Sequence, residues 1–199
     1  MISILVLSVI SVNNPTYDYS DIMGMAYVCK NAKVEHINSD IVEKLVEIED
    51  LYFQKYNIPE DLRGMLLAAA CVESGYNPKA KGDWKITFKT KKHPRAKGIL
   101  QFWQWAEKRY ALNRFDPIQS AHVWMQHVAN TRNKNLCRGY RLSKKQKWLA
   151  AWAQAVRSAS TKENKFRCFQ RTKHWKELRR WKRIIKLHKE MLKNEEPGC

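Results

Sequence analysis

From Met65 to Val72 the chain runs eight residues without a charge, and the run closes on Glu73-Ser74-Gly75-Tyr76-Asn77-Pro78. A helix that is apolar all round must be buried all round, so this stretch predicts a central helix with other elements packed about it. Ala68-Ala69-Ala70 lets those neighbours approach closely. Gly75 is a natural stop, because helices commonly end on a left-handed residue and glycine adopts that conformation without strain. Glu73 is the odd residue, since a carboxylate is rarely placed against an apolar segment without a reason. Two readings stand at this point: an acid with chemistry to perform, or a surface glutamate at a frayed helix end.

The flanks supply the packing partners. Residues 13–36 show no clear periodicity and read as a loosely structured lead. From Ser39, a good N-cap, Ile41, Leu45, Ile48, Leu51 and Tyr52 recur at helical spacing, with Glu43, Glu47 and Glu49 facing mostly outward, to an end near Asn57. Pro59 suits the first turn of the central helix, where Glu60 and Asp61 sit well beside the positive end of the backbone dipole. That helix is expected to run through Leu62, Leu66 and Ala69 to Glu73.

Between Lys81 and Lys97 the period changes from helical to two: Trp84, Ile86 and Phe88 alternate with Lys85, Thr87 and Lys89. Lys91-Lys92-His93-Pro94-Arg95 reads as an exposed turn, so a short β-hairpin or flap is expected here, with a solvated basic loop as the alternative. A helix is expected from Gly98, carrying Leu100, Phe102 or Trp103, and Ala106. Asp116-Pro117-Ile118-Gln119 starts the next, with Ile118, Ala121, Met125 and Val128 inward. Ser143-Lys144-Lys145-Gln146 is a capping box ahead of Trp148, Leu149, Trp152, Ala155 and Val156. Thr172 opens a last helix with Trp175, Leu178, Trp181, Ile185 and Leu192 inward and Lys/Arg crowding its outer face. The pattern is that of one mainly α domain, and 199 residues suffice for one well-buried core.

Charge limits the partners. Residues 1–63 hold 5 Lys/Arg against 10 Asp/Glu, whereas residues 64–199 hold 32 against 9, so the net +18 is concentrated in the second part. Such a surface suits a polyanion: nucleic acid, anionic lipid or an anionic cell wall. The basic residues are diffuse and no nucleic-acid-binding module is visible, which argues against nucleic acid. The eight Trp are more than a core of this size needs, and their flat faces suit a ligand groove.

Met1 to Val12 is apolar and uncharged, too short to span a bilayer, and resembles the hydrophobic core of a secretory signal without the usual preceding basic residues or an Ala-x-Ala site. The alternative is an N-terminal strand or helix packed on the body. Cys29, Cys71, Cys137, Cys168 and Cys199 lack zinc-site spacing, so no metal or other cofactor is expected. With export, one or two disulfides are expected, Cys137–Cys168 being favoured because the two bracket one helix; fully reduced thiols are the alternative.

A carboxyl group that donates a proton near neutral pH needs a raised pKa, which burial supplies. An apolar run before the acid and the negative end of a helix dipole are features of that kind. Glu73-Ser74-Gly75-Tyr76-Asn77-Pro78, followed by Gly98-Ile99-Leu100-Gln101, resembles the two signature motifs of the soluble lytic transglycosylase and goose-type lysozyme superfamily, Glu-Ser-x-x-Asn-Pro and Gly-Leu-x-Gln. The resemblance extends to Asp116-Pro117 and, more loosely, Leu149-Ala150-Ala151-Trp152, covering roughly residues 59–158. It implies a lysozyme-like helical domain with a small β-hairpin or flap beside a cleft that binds peptidoglycan glycan strands. Residues 13–58 would form an N-terminal lead and helix, and residues 159–199 a basic helix packed on that core. The implied catalytic acid/base is Glu73; Ser74, Gly98, Gln101, Phe102, Trp152 and Asp83 are the implied substrate-binding residues. A secreted or periplasmic monomer is expected.

Two departures from the family pattern bear on mechanism. Where the family has Ala-Tyr-Asn-Ala-Gly this chain has Ala151-Trp152-Ala153-Gln154-Ala155, so Trp152 is either an apolar wall beside the acid or plain core. The 19 residues between Pro78 and Gly98 include the flap, which brings in Asp83 as a candidate second carboxylate. A transglycosylase needs one carboxylate, because the nucleophile is the sugar's own 6-hydroxyl; a hydrolytic muramidase usually needs two. Asp116 is better explained as a helix cap. The expectation is a lytic transglycosylase, with a muramidase using Glu73 plus Asp83 or water as the alternative, and a non-catalytic cationic binder of walls, membranes or nucleic acid as an alternative of another class.

Overall fold

A computed structural model describes residues 19–86, 92–132, 141–156 and 173–195. Expectations for residues 1–12, Phe88, Thr172, Cys137, Cys168 and Cys199 fall outside this range, and so does the side chain of Asp83. The described residues are mainly helical, in the order α1 (Tyr19–Tyr27), α2 (Ser39–Tyr56), α3 (Met65–Ser74), β1 (Lys81–Ile86), β2 (Lys92–Lys97), β3 (Phe102–Trp103), α4 (Gln104–Tyr110), α5 (Pro117–Arg132), α6 (Lys144–Val156) and α7 (Lys173–Glu195). The strands form an antiparallel sheet in the order β1-β2-β3.

The apolar run is the centre of the molecule. Every side chain from Met65 to Cys71 is buried, and α1, α2 and α7 all pack against α3. Helix α2 is capped by Asn38 rather than by Ser39, which is its first helical residue: the Asn38 side chain accepts from the Ile41 amide at 3.2 Å, and Asn57 closes the other end in the left-handed conformation. Helix α5 is capped as its sequence implies, with Asp116 Oδ1 accepting from Ile118 N and Gln119 N. In α6 the capping box is reciprocal, Ser143 N donating to Gln146 Oε1 at 2.9 Å and Gln146 N to Ser143 Oγ at 3.3 Å. Strands β1 and β2 pair antiparallel, with Lys81 opposite Lys97 and Ile86 opposite Lys92.

Several expectations are corrected. The lead is not loosely structured throughout: residues 19–27 form α1, with Ile22, Met25 and Ala26 buried at helical spacing. The central helix does not run unbroken from Pro59; a short 3-10 turn at Glu60–Leu62 is followed by Gly64 at φ 88°, and α3 starts only at Met65. Gly98 does not open a helix, because residues 98–101 turn, Phe102–Trp103 joins the sheet, and α4 begins at Gln104. Lys92 to Arg95 belong to β2 rather than to the hairpin's turn. Pro94, which has no amide to donate, lies opposite Trp84 of β1 and beyond the two residues, Ala96 and Lys97, that β3 pairs. On α2, Leu51 is exposed, whereas Glu49 is not outward at all but fully buried.

Candidate functional site

Two stretches that lie 23 residues apart in sequence, counted from Gly75 to Gly98, meet at the C-terminal end of α3. Ser74 is the last residue of that helix, and its hydroxyl donates to Ile99 O at 2.8 Å, with Ala70 O also in reach at 3.2 Å. The amide of Gly98 donates to Ala80 O at 2.9 Å, two residues past Pro78. The side chain of Gln101 closes its own turn, Nε2 donating to Gly98 O at 2.8 Å, and its Oε1 lies against Gly82 at the start of β1. Asp83 follows Gly82 on the same strand. The helix end, the 98–101 turn and the first residues of β1 thus form one hydrogen-bonded cluster, with Glu73 half-buried in its margin.

The glycines are required by space as well as by dihedral angle. Gly98 is at φ 80°, and a Cβ there would overlap the carbonyl oxygen of Arg114. Gly75 is at φ 60°, and a Cβ there would overlap the carbonyl oxygen of Asn31. Both positions combine a left-handed backbone with close backbone approach, which only glycine meets without displacement.

The N-terminal lead completes the helix end. Asn31 Nδ2 lies 3.4 Å from both Cys71 O, which also accepts from Gly75 N at 3.0 Å, and Val72 O in the last turn of α3. Cys29 is joined to Cys71 by a disulfide, with Cα atoms 5.8 Å apart, which fixes this lead to the turn carrying Glu73. Asn77 continues the cluster: its Oδ1 accepts from Lys79 N at 2.8 Å, and its Nδ2 lies 3.5 Å from His36 Nε2. Tyr76 is buried, its hydroxyl donating to Leu67 O at 3.1 Å, and burial raises its pKa well above the usual phenol value.

Residues without a motif signature brace the Gly98 turn and, separately, the far end of α3. Arg114, almost wholly buried, donates from Nε to Glu107 Oε1 at 2.6 Å and from Nη1 to Arg95 O and Phe102 O at 2.7 and 3.0 Å. One guanidinium therefore ties β2, β3 and α4 behind the Gly98 turn. At the opposite end of α3, Glu49 accepts from Gly64 N at 2.7 Å and Leu66 N at 2.8 Å, so α2 caps a helix whose own N-cap, Gly64, has no side chain to do it. Desolvation raises the pKa of Glu49 to about 7, opposed by those two amide bonds and by the charges of Arg63 and Lys182. Glu49 had a sequence signal, since it falls on the buried stripe Val42, Leu45, Val46, Phe53 at helical spacing. The Asn31 and Arg114 contacts had none.

Two other expected site residues have buried side chains. Phe102 is buried, with its ring edge-on to Trp105 at 6.2 Å between centroids. Trp152 is buried on α6 and meets the Trp175 ring of α7 edge-on at 6.4 Å. Trp124, Trp148 and Trp181 are core as well, while Trp103, Trp105 and Trp175 are partly exposed. Asp116 is the α5 cap described above. Among the described residues, no group of three His, Cys, Asp or Glu is arranged to hold a metal. No family model, curated protein or solved structure matches the chain.

Proposed function

We propose that the chain is a lytic transglycosylase with a lysozyme-like helical domain, cleaving the β-1,4 bond between N-acetylmuramic acid and N-acetylglucosamine in peptidoglycan. The observation that carries this reading is the hydrogen bond from Ser74 Oγ to Ile99 O, which joins the Glu73-Ser74 and Gly98–Gln101 stretches into one cluster. In this mechanism the Glu73 carboxyl protonates the glycosidic oxygen as the bond to the muramic C1 breaks. The resulting carboxylate then takes the proton of the sugar's 6-hydroxyl, whose oxygen closes a 1,6-anhydro ring on C1. Ser74 and Gly98 act here by positioning, since the hydroxyl and the amide are engaged with backbone carbonyls. The amide of Gln101, held from its nitrogen, orients its oxygen along the start of β1, where a sugar N-acetyl or hydroxyl group would be read.

The Cys29–Cys71 disulfide favours an oxidising compartment, where peptidoglycan lies. No described helix is long and apolar enough to cross a membrane. A muramidase remains the second reading because Gly82, which precedes Asp83, packs against Gln101. Mass spectrometry of digested peptidoglycan separates the two. The transglycosylase releases anhydro-muropeptides; reducing ends alone would replace this reading with hydrolysis, and no release at all would overturn both.

A further inference from the structure

The helix α7 has a second face that the proposed catalysis does not use. Its inner side is fixed to the body: Leu178 and Trp181 are fully buried, Ile185 packs on the core, and Glu177 accepts from Trp181 Nε1 at 2.6 Å. On the outside, Lys176, Arg179, Arg183 and Lys186 are exposed at intervals of three, four and three residues, which aligns them along one side of the helix. Leu187 and Met191, four residues apart, continue that side and are 53% and 60% exposed. Lys186 also reaches Glu190 at 3.6 Å, an exposed pair that leaves the stripe strongly cationic.

We propose that this face of α7 docks on an anionic phospholipid surface, with the four cations at the headgroups and Leu187 and Met191 entering the acyl boundary. Charge alone would suit any polyanion. The two exposed apolar side chains decide among partners, because they gain nothing from a phosphate backbone or an anionic glycan but are removed from water by lipid. Long Lys and Arg side chains can keep their charges at headgroup level while their stems lie along the apolar boundary. A helix of 23 residues, roughly 35 Å long, offers a line of contact rather than a point. Docking of this kind would hold the enzyme at the membrane that borders its wall substrate, yet it stands independently of whether Glu73 cleaves glycans.

The test is sedimentation of the full chain with vesicles of phosphatidylcholine containing 30% phosphatidylglycerol, against vesicles of phosphatidylcholine alone. Wild type should bind the anionic vesicles and not the neutral ones, weakening as salt rises. Replacing Lys176, Arg179, Arg183 and Lys186 together by Gln should lower partitioning more than a hundredfold, at about fivefold per basic residue. Leu187→Ser with Met191→Ser should lower it at least tenfold while leaving any retention on duplex DNA unchanged. Arg183→Glu alone, a single exposed change, gives a milder loss if the fourfold variant does not fold. Absence of wild-type binding to anionic vesicles overturns the proposal. Equal binding by the Leu187/Met191 variant also overturns it, leaving a charge-only attraction in which duplex DNA would compete.

Discussion

The two ends of α3 are closed by different means. At the N-terminal end a carboxylate from another helix, Glu49, is fully buried and accepts one backbone amide on each oxygen. At the C-terminal end the closure is made by Ser74, Gly75 and the Asn31 amide, and the carboxylate there, Glu73, is half-buried. A carboxylate used to hold backbone has its lone pairs filled and is sealed from water. One used on a substrate must be reachable, so its surroundings have to be held by other groups. The contrast is between Glu49 of α2, sealed against the first turn of α3, and Glu73 in the last turn of α3, which stays partly exposed.

Changes at either end sharpen that contrast, and their effects should fall in a definite order. Removing the disulfide with Cys29→Ser and Cys71→Ser frees a loop closed across 42 residues, and should cost about 4 kcal/mol of stability in denaturant melts. Wall-clearing activity should fall further than the folded fraction does, because the lead that braces the Glu73 turn is released.

The pH dependence comes next in size. The native value for Glu49, about 7, lies above its ordinary 4.5, so between those values the native state keeps a proton that the unfolded chain has lost. The contribution of Glu49 is therefore fully present below about pH 4.5 and is lost as pH rises through about 7, a change of roughly 3 kcal/mol. Melts across this window should show stability falling toward neutral pH, and Glu49→Gln should flatten the slope. Glu49→Gln also sets an NH2 group against one of the two amides it now accepts from, so a cost of about 2 kcal/mol is expected at acid pH. Its activity per folded molecule should be unchanged, which is the outcome that distinguishes the N-terminal end from the C-terminal one.

Ser74→Ala should have the smallest effect on stability, about 1 kcal/mol for a lost hydrogen bond. It should nonetheless reduce activity, since that hydroxyl links the helix end to Ile99. Loss of activity no larger than the loss of folded protein would mean the link does not position the site.

What was legible in the sequence was local. The α5 start, the α6 capping box, the strand pair between Lys81 and Lys97 and the glycine stop at Gly75 all depend on residues within a few positions of one another, whereas the α2 cap falls on Asn38 and not on Ser39. The break at Gly64 was hidden by an apolar pattern that continues across it, with Leu62, Met65 and Leu66 all buried. The charge of Glu49 points it outward while its place on the stripe points it inward, and the two amides at the start of α3 account for its burial. The partner of Cys71 and the role of Arg114 depend on contacts across the fold, which spacing does not encode. The order of the two motif stretches is legible and their meeting at Ser74 and Ile99 is seen only in the fold, whereas the aromatic signal of Phe102 and Trp152 fits a groove and a core equally well, and both are buried.

The central claim is that Glu73, at the end of α3, is the chemical acid and Glu49, on α2, the structural one. Its most direct test is release of soluble muropeptides from purified peptidoglycan by the wild type, Glu73→Gln and Glu49→Gln, each normalised to folded protein. The account predicts a loss of about a thousandfold for Glu73→Gln with its melting temperature retained, and near-wild-type release for folded Glu49→Gln. Undiminished release by Glu73→Gln, or abolished release by fully folded Glu49→Gln, would contradict it.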